Sequence, residues 1–103
     1  MSNIENASIN PIANTYFGGK CVSHSISLAD GSSISAGVIF PARLTFNTEA
    51  PERMELLQGK CRVRLPGSVD WQAFSGGESF EVAGDSSFEI DVIEDLHYIC
   101  RFG

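Results

Sequence analysis

Apolar and polar residues alternate in short runs along most of this chain, and helical spacing is almost absent after the first fifteen positions. Residues 20–28, Lys-Cys-Val-Ser-His-Ser-Ile-Ser-Leu, give each face of an extended strand its own side chains. Asp30-Gly31 then suits the positive φ angles of a tight turn, and residues 33–40 read as the returning strand, ended by Pro41. Residues 43–47 form another strand, and the Ala50-Pro51 step breaks the chain before the next. Residues 52–57 and 61–65 read as a hairpin through a turn at Gln58-Gly59-Lys60. Its second arm sends Cys61, Val63 and Leu65 to one face and Arg62 and Arg64 to the other, which places the arginines in solvent. Turns at 66–68 and 75–77 bound short strands over 71–74 and 78–82; residues 87–93 and 97–102, separated by Glu94-Asp95, complete the set.

About nine short strands with hairpin-length loops predict an all-β fold. An open sheet of this size leaves strand edges exposed, so closure into a barrel is expected. Residues 1–15 are polar and lack periodicity; they read as a flexible lead to one domain over 16–103.

Composition narrows the function classes. A chain of 103 residues supports one core rather than two. No apolar run approaches the roughly 18 residues of a membrane span, and the start lacks the basic and apolar regions of a secretory signal, so a cytoplasmic location is the default expectation. A net charge of −6 argues against nucleic acid or an anionic membrane as the main partner, because both need a basic face. Cys21, Cys61 and Cys100 are far apart and lie in alternating stretches, which reads as buried free thiols. Two histidines and no C-x-x-C pair leave no basis for a zinc site.

Two stretches resemble the paired signatures of the cupin barrels. In the first, Gly37 leads to Arg43 and Thr45 at the histidine positions, with Glu52 before Gly59. In the second, Gly77 leads to Ala83 and to Phe88 at the last histidine position. The glycines and the Glu remain and the three histidines do not, so a metal held by Glu52 alone is not expected. A closer likeness runs through residues 45–54, Leu65-Pro66-Gly67 with Trp71, residues 77–82, residues 86–88 and the ending Tyr98-Ile99-Cys100-Arg101-Phe102. In order and spacing these segments resemble the bacterial pyrimidine/purine nucleoside phosphorylase family, over about residues 16–102.

That resemblance implies a cupin-type jelly-roll barrel, a homodimer, and phosphorolysis. In that reaction phosphate attacks C1′ of a purine or pyrimidine nucleoside, releasing the base and a pentose 1-phosphate. No metal or other cofactor is implied; inorganic phosphate is the co-substrate. The chemistry needs positioned phosphate, anchors for the ribose hydroxyls, and stabilisation of an oxocarbenium-like transition state. Glu52 is the expected catalytic residue: at the former metal-ligand position it points into the barrel and accepts hydrogen bonds from the ribose hydroxyls. A solvated Glu at a strand start is the commonplace alternative. Met54 shares its parity and packs on the sugar or simply fills the core. Arg43 and Thr45 are expected to meet substrate, as former histidine positions, with Thr48 a further hydroxyl. Phe88 either stacks on the base or occupies the core, and Tyr98 offers a hydroxyl to substrate or satisfies it on the backbone. Trp71 reads as structural. The alternative function is a non-catalytic cupin that binds a nucleoside or sugar as a sensor.

Overall fold

The computed structural model describes residues 3–102, so Met1, Ser2 and Gly103 of the expected lead and domain lie outside the described residues. The structure is all-β. Its strands are β1 (Ser8–Ile9), β2 (Asn14–Tyr16), β3 (Cys21–Ser27), β4 (Ser33–Ile39), β5 (Arg43–Thr48), β6 (Glu52–Arg64), β7 (Gln72–Ser75), β8 (Ser79–Val82) and β9 (Ser86–Phe102). One 3-10 turn, Phe17–Gly19, precedes β3. β1 and the first two residues of β2 fall in the segment read as a flexible lead; both strands pair antiparallel with β3.

The sheet is organised by its two long strands. β6 and β9 pair antiparallel from Glu52 against Phe102 to Arg64 against Glu89. The other edge of β9 takes β5 along its first half and β4 along its second. The other edge of β6 takes β8 near Glu52 and β7 near Val63. β4 carries the ladder on to β3.

Two expectations need correction here. Gln58-Gly59-Lys60 is not a turn and Glu94-Asp95 is not a break: both lie inside continuous strands, at the same point of the β6–β9 ladder, where the register shifts. Gly59 explains the site. Its φ is +111°, which side chains other than glycine rarely adopt, and a Cβ there would stand 2.2 Å from the Asp95 carbonyl oxygen. The glycine therefore makes a β-bulge that bends both strands together. The second correction concerns closure. The ladder runs β1-β3-β4-β9-β6-β7, and no pairing joins its ends among the described residues. Bending two long strands, rather than closing many short ones, is how the sheet covers its core.

That core lies on the inner face and includes Met54, Leu56, Val63, Phe80, Ile90 and Leu96. Ile39, Ile90 and Leu96 are fully buried, each contributing about 1.5–3 kcal/mol by leaving water. Ile26, Ile34 and Ile99 make a smaller cluster on the opposite face. Cys21, Cys61 and Cys100 are all buried and free, as their alternating surroundings suggested. Burial pushes the Cys61 thiol up to about 11, with the Glu78 charge adding to the effect.

Candidate functional site

Strand alternation assembles a cavity at one end of the inner face. β6 turns Glu52 and Met54 inward, and β9 turns Tyr98, Cys100 and Phe102 toward them. Register places Phe102 opposite Glu52 and Cys100 opposite Met54, so Glu52 and Cys100 are diagonal neighbours on one face. β3 adds Cys21 and Ser23, β4 adds Ser35 and Ile39, and the end of β5 adds Phe46 and Asn47; Phe88 and Tyr16 complete the lining. The cavity holds about 180 Å³.

Gly37 lets this wall close. It is the register partner of Ser23 on one side and of Tyr98 on the other. A Cβ at Gly37 would lie 2.3 Å from the Val22 carbonyl oxygen and 2.8 Å from Ser23 Cβ. With no side chain between them, Ser23 and Tyr98 approach across β4 from the strands on either side of it, and both are buried.

Two polar pairs line the cavity. Cys100 Sγ–H donates to Glu52 Oε1 at 3.5 Å. Tyr98 Oη lies 3.4 Å from Cys21 Sγ. Burial raises Glu52 above the ordinary carboxylate range, and the thiol hydrogen bond pulls it partly back. Tyr98 is pushed far above the usual phenol range, first by burial and then by its bond to Cys21. Cys100 is raised by burial and by the neighbouring Glu52 charge, and Cys21 by burial. At neutral pH the site therefore presents a phenol, two thiols and hydroxyls around a single inner carboxylate. Among the described residues no three His, Cys, Asp or Glu side chains converge as metal ligands would.

Glu52 and Phe102 also line a more open groove of about 440 Å³ at the end of the sheet. Its other charged residues are Arg53, Glu81 and Arg101. Arg101 Nε donates to Glu55 Oε2 at 2.9 Å, and Arg53 lies 3.7 Å from the same carboxylate.

Glu52, Met54, Phe88 and Tyr98 are thus brought together, while Arg43 and Thr45 are not. Leu44 and Phe46 of β5 pack on the core, and period two sends Arg43 and Thr45 to the exposed outer face. There the Arg43 guanidinium stands 5.0 Å from the Trp71 ring centroid and 3.8 Å from Asp91. Arg62 and Arg64 gather on the same ring at 5.6 and 5.0 Å, with Asp91 and Glu89 as ion-pair partners, as expected of a solvent face. Thr48 has its hydroxyl committed: it donates to Ala83 O at 2.6 Å and accepts from Ser86 N at 3.0 Å. Phe88 lies both in the cavity wall and in the core, stacked on Phe46 at 5.5 Å and edge-on to Phe80 at 5.7 Å. Sequence reasoning missed Cys21, Ser23 and Cys100 as lining residues. The signal was present: Cys21 and Ser23 share a parity, and Cys100 shares that of Tyr98.

A family model described as pyrimidine/purine nucleoside phosphorylase matches residues 12–102. A protein of that name from Cupriavidus metallidurans is 55% identical over 103 residues, covering 100% of each chain. One from Leptothrix cholodnii is 60% identical over 98 residues, covering 94% of each chain. Among solved structures, a protein of unknown function from Acinetobacter sp. ADP1 matches with a TM-score of 0.95 at 40% identity, covering 98% of each chain. Another, from Vibrio parahaemolyticus, matches with a TM-score of 0.85 at 41% identity, over 91% of this chain and 97% of that one. The chain belongs to the pyrimidine/purine nucleoside phosphorylase family.

Proposed function

We propose that this family member cleaves purine and pyrimidine nucleosides with inorganic phosphate, releasing the free base and a pentose 1-phosphate, in the cavity around Glu52. The observation that carries the reading is the setting of that carboxylate. It is half-buried in a small cavity whose other polar groups are neutral at neutral pH and whose walls are aromatic and thioether carbon. A carboxylate so placed accepts hydrogen bonds from ribose hydroxyls and favours the positive charge that develops as the base departs. Met54 offers an apolar surface to the sugar, and Tyr98, held neutral, keeps a hydroxyl able to donate. Phe46, Phe88 and Phe102 offer ring faces, which every base can meet.

Size supports using both openings. The inner cavity alone is below the roughly 300–1,000 Å³ of most ligand sites, and the groove adjoining it through Glu52 and Phe102 adds the missing room. Arg53 and Arg101 line that groove with Glu81, each paired with Glu55, and are its candidate phosphate contacts. The reaction proceeds by positioning and electrostatics without a metal, consistent with Arg43, Thr45 and Phe88 standing at the cupin histidine positions. A cupin-type jelly roll, a homodimer and a cytoplasmic location complete the proposal.

The test is release of base from inosine or uridine with and without phosphate. Phosphate-dependent release, lowered about 10²-fold or more in Glu52→Gln, is the expected result. Failure to cleave several nucleosides at high protein concentration would overturn the phosphorylase reading and favour a binding role. Full activity in Glu52→Gln would remove Glu52 from the chemistry.

A further inference from the structure

We propose that Cys100 is a positioning residue for Glu52: its Sγ–H donates to Glu52 Oε1 and holds the carboxylate facing the cavity. The inference rests on the phosphorylase reading for its catalytic meaning, but the pairing itself is independent of substrate.

The geometry begins with the ladder. Cys100 is the partner of Met54, and the face that carries Met54 also carries Glu52 two residues earlier. A short side chain at position 100 therefore reaches diagonally to Glu52, and the contact is 3.5 Å, a normal separation for sulfur as donor. Cys100 is only 4% exposed, so water does not compete for the thiol. Among the described residues it is the side-chain hydrogen-bond partner of this carboxylate.

Other titratable groups surround Glu52 without taking that place. Tyr16, Cys21 and Tyr98 share its cavity, and Arg53, Glu81 and Arg101 share its groove. Tyr98 and Cys21 are engaged with each other, and Arg53 and Arg101 with Glu55. An ionised Glu52 in this setting has burial against it and the thiol in its favour. The thiol stays protonated because burial and the carboxylate charge both hold its proton on. It is thus the donor of the pair.

Removing the donor should free the carboxylate to rotate and should raise its affinity for protons. In Cys100→Ala the acid limb of the kcat/KM profile is expected at higher pH than in the wild type, with activity on that limb lowered several-fold. Cys100→Ser, which restores a donor, should bring the limb back. A packing defect alone would not be rescued by serine or move the limb. Carbon-13 carboxyl titration of Glu52 reads the same pairing without substrate, and its midpoint should rise in Cys100→Ala. Should the alanine variant fail to fold, Cys100→Val removes the donor while filling the space. An unchanged Glu52 midpoint and acid limb in a folded donor-free variant would overturn the proposal. If the midpoint moves but the wild type cleaves no nucleoside, the pairing stands and the phosphorylase reading falls.

Discussion

At Glu52, burial and charge oppose each other, and the opposition has a measurable sign. Desolvation raises its proton affinity in the folded protein above the ordinary value of 4.5, and the Cys100 bond offsets this only in part. The folded state therefore holds this proton to higher pH than the unfolded chain does. Stability contributed by the group falls as pH rises from about 4.5 through the folded-state pKa. Glu52→Gln is expected to raise the melting temperature at pH 7 to 8 relative to wild type, with the gain vanishing below about pH 4. Calorimetry across that range checks it, and a variant less stable at pH 7 would contradict it. The residue proposed to serve the chemistry is then one that weakens the fold. Parity in the sequence was enough to put Glu52 beside Met54, and to put Arg62 and Arg64 opposite Val63. For Arg43 and Thr45 the cupin histidine positions point inward, whereas their parity against Leu44 and Phe46 points outward. Those two apolar residues have the stronger claim on the inner face, and they decide which way β5 turns.

At the scale of elements, strand positions were legible and strand lengths were not. Gln58-Gly59-Lys60 has the local chemistry of a turn, and a glycine between polar residues serves a turn or a bulge equally well. What separates the two is the Asp95-Leu96 backbone packed against Gly59, and no local pattern reveals that partner. The same applies to Glu94-Asp95, which reads as a break but continues β9. The bend predicts its own weak point. Gly59→Ala would bring a Cβ against the Asp95 carbonyl and ask alanine to hold a positive φ. A loss of roughly 3 kcal/mol or more in denaturant unfolding is expected. A loss below about 1 kcal/mol would show that β6 and β9 can straighten together there.

The whole molecule is held by pairings between distant segments, β4 with the end of β9 and β5 with its beginning. Such pairings require long loops to close before any contact compensates, so folding should be slow for a domain of this size. Trp71, the single tryptophan, is half-buried beneath Arg43, Arg62 and Arg64 and reports the event by its fluorescence. Stopped-flow refolding is expected on the order of milliseconds to seconds, and a relaxation faster than about a millisecond would contradict the dependence on distant pairing. These pairings are also where sequence reading ended: it supplied the strands, not their neighbours.

The lengths of the strands bear on a different hazard. β6 and β9, with 13 and 17 residues, have neighbours on both sides, whereas the strands with a free side, β1, β2, β5, β7 and β8, have two to six residues each. A second molecule seeking to add itself to the ladder finds only short stretches of unpaired backbone, among them β5 with its Arg43 and Thr45 turned outward. A chain made almost wholly of strand thus offers its copies, among the described residues, only short free edges, which are poorly suited to edge-to-edge addition.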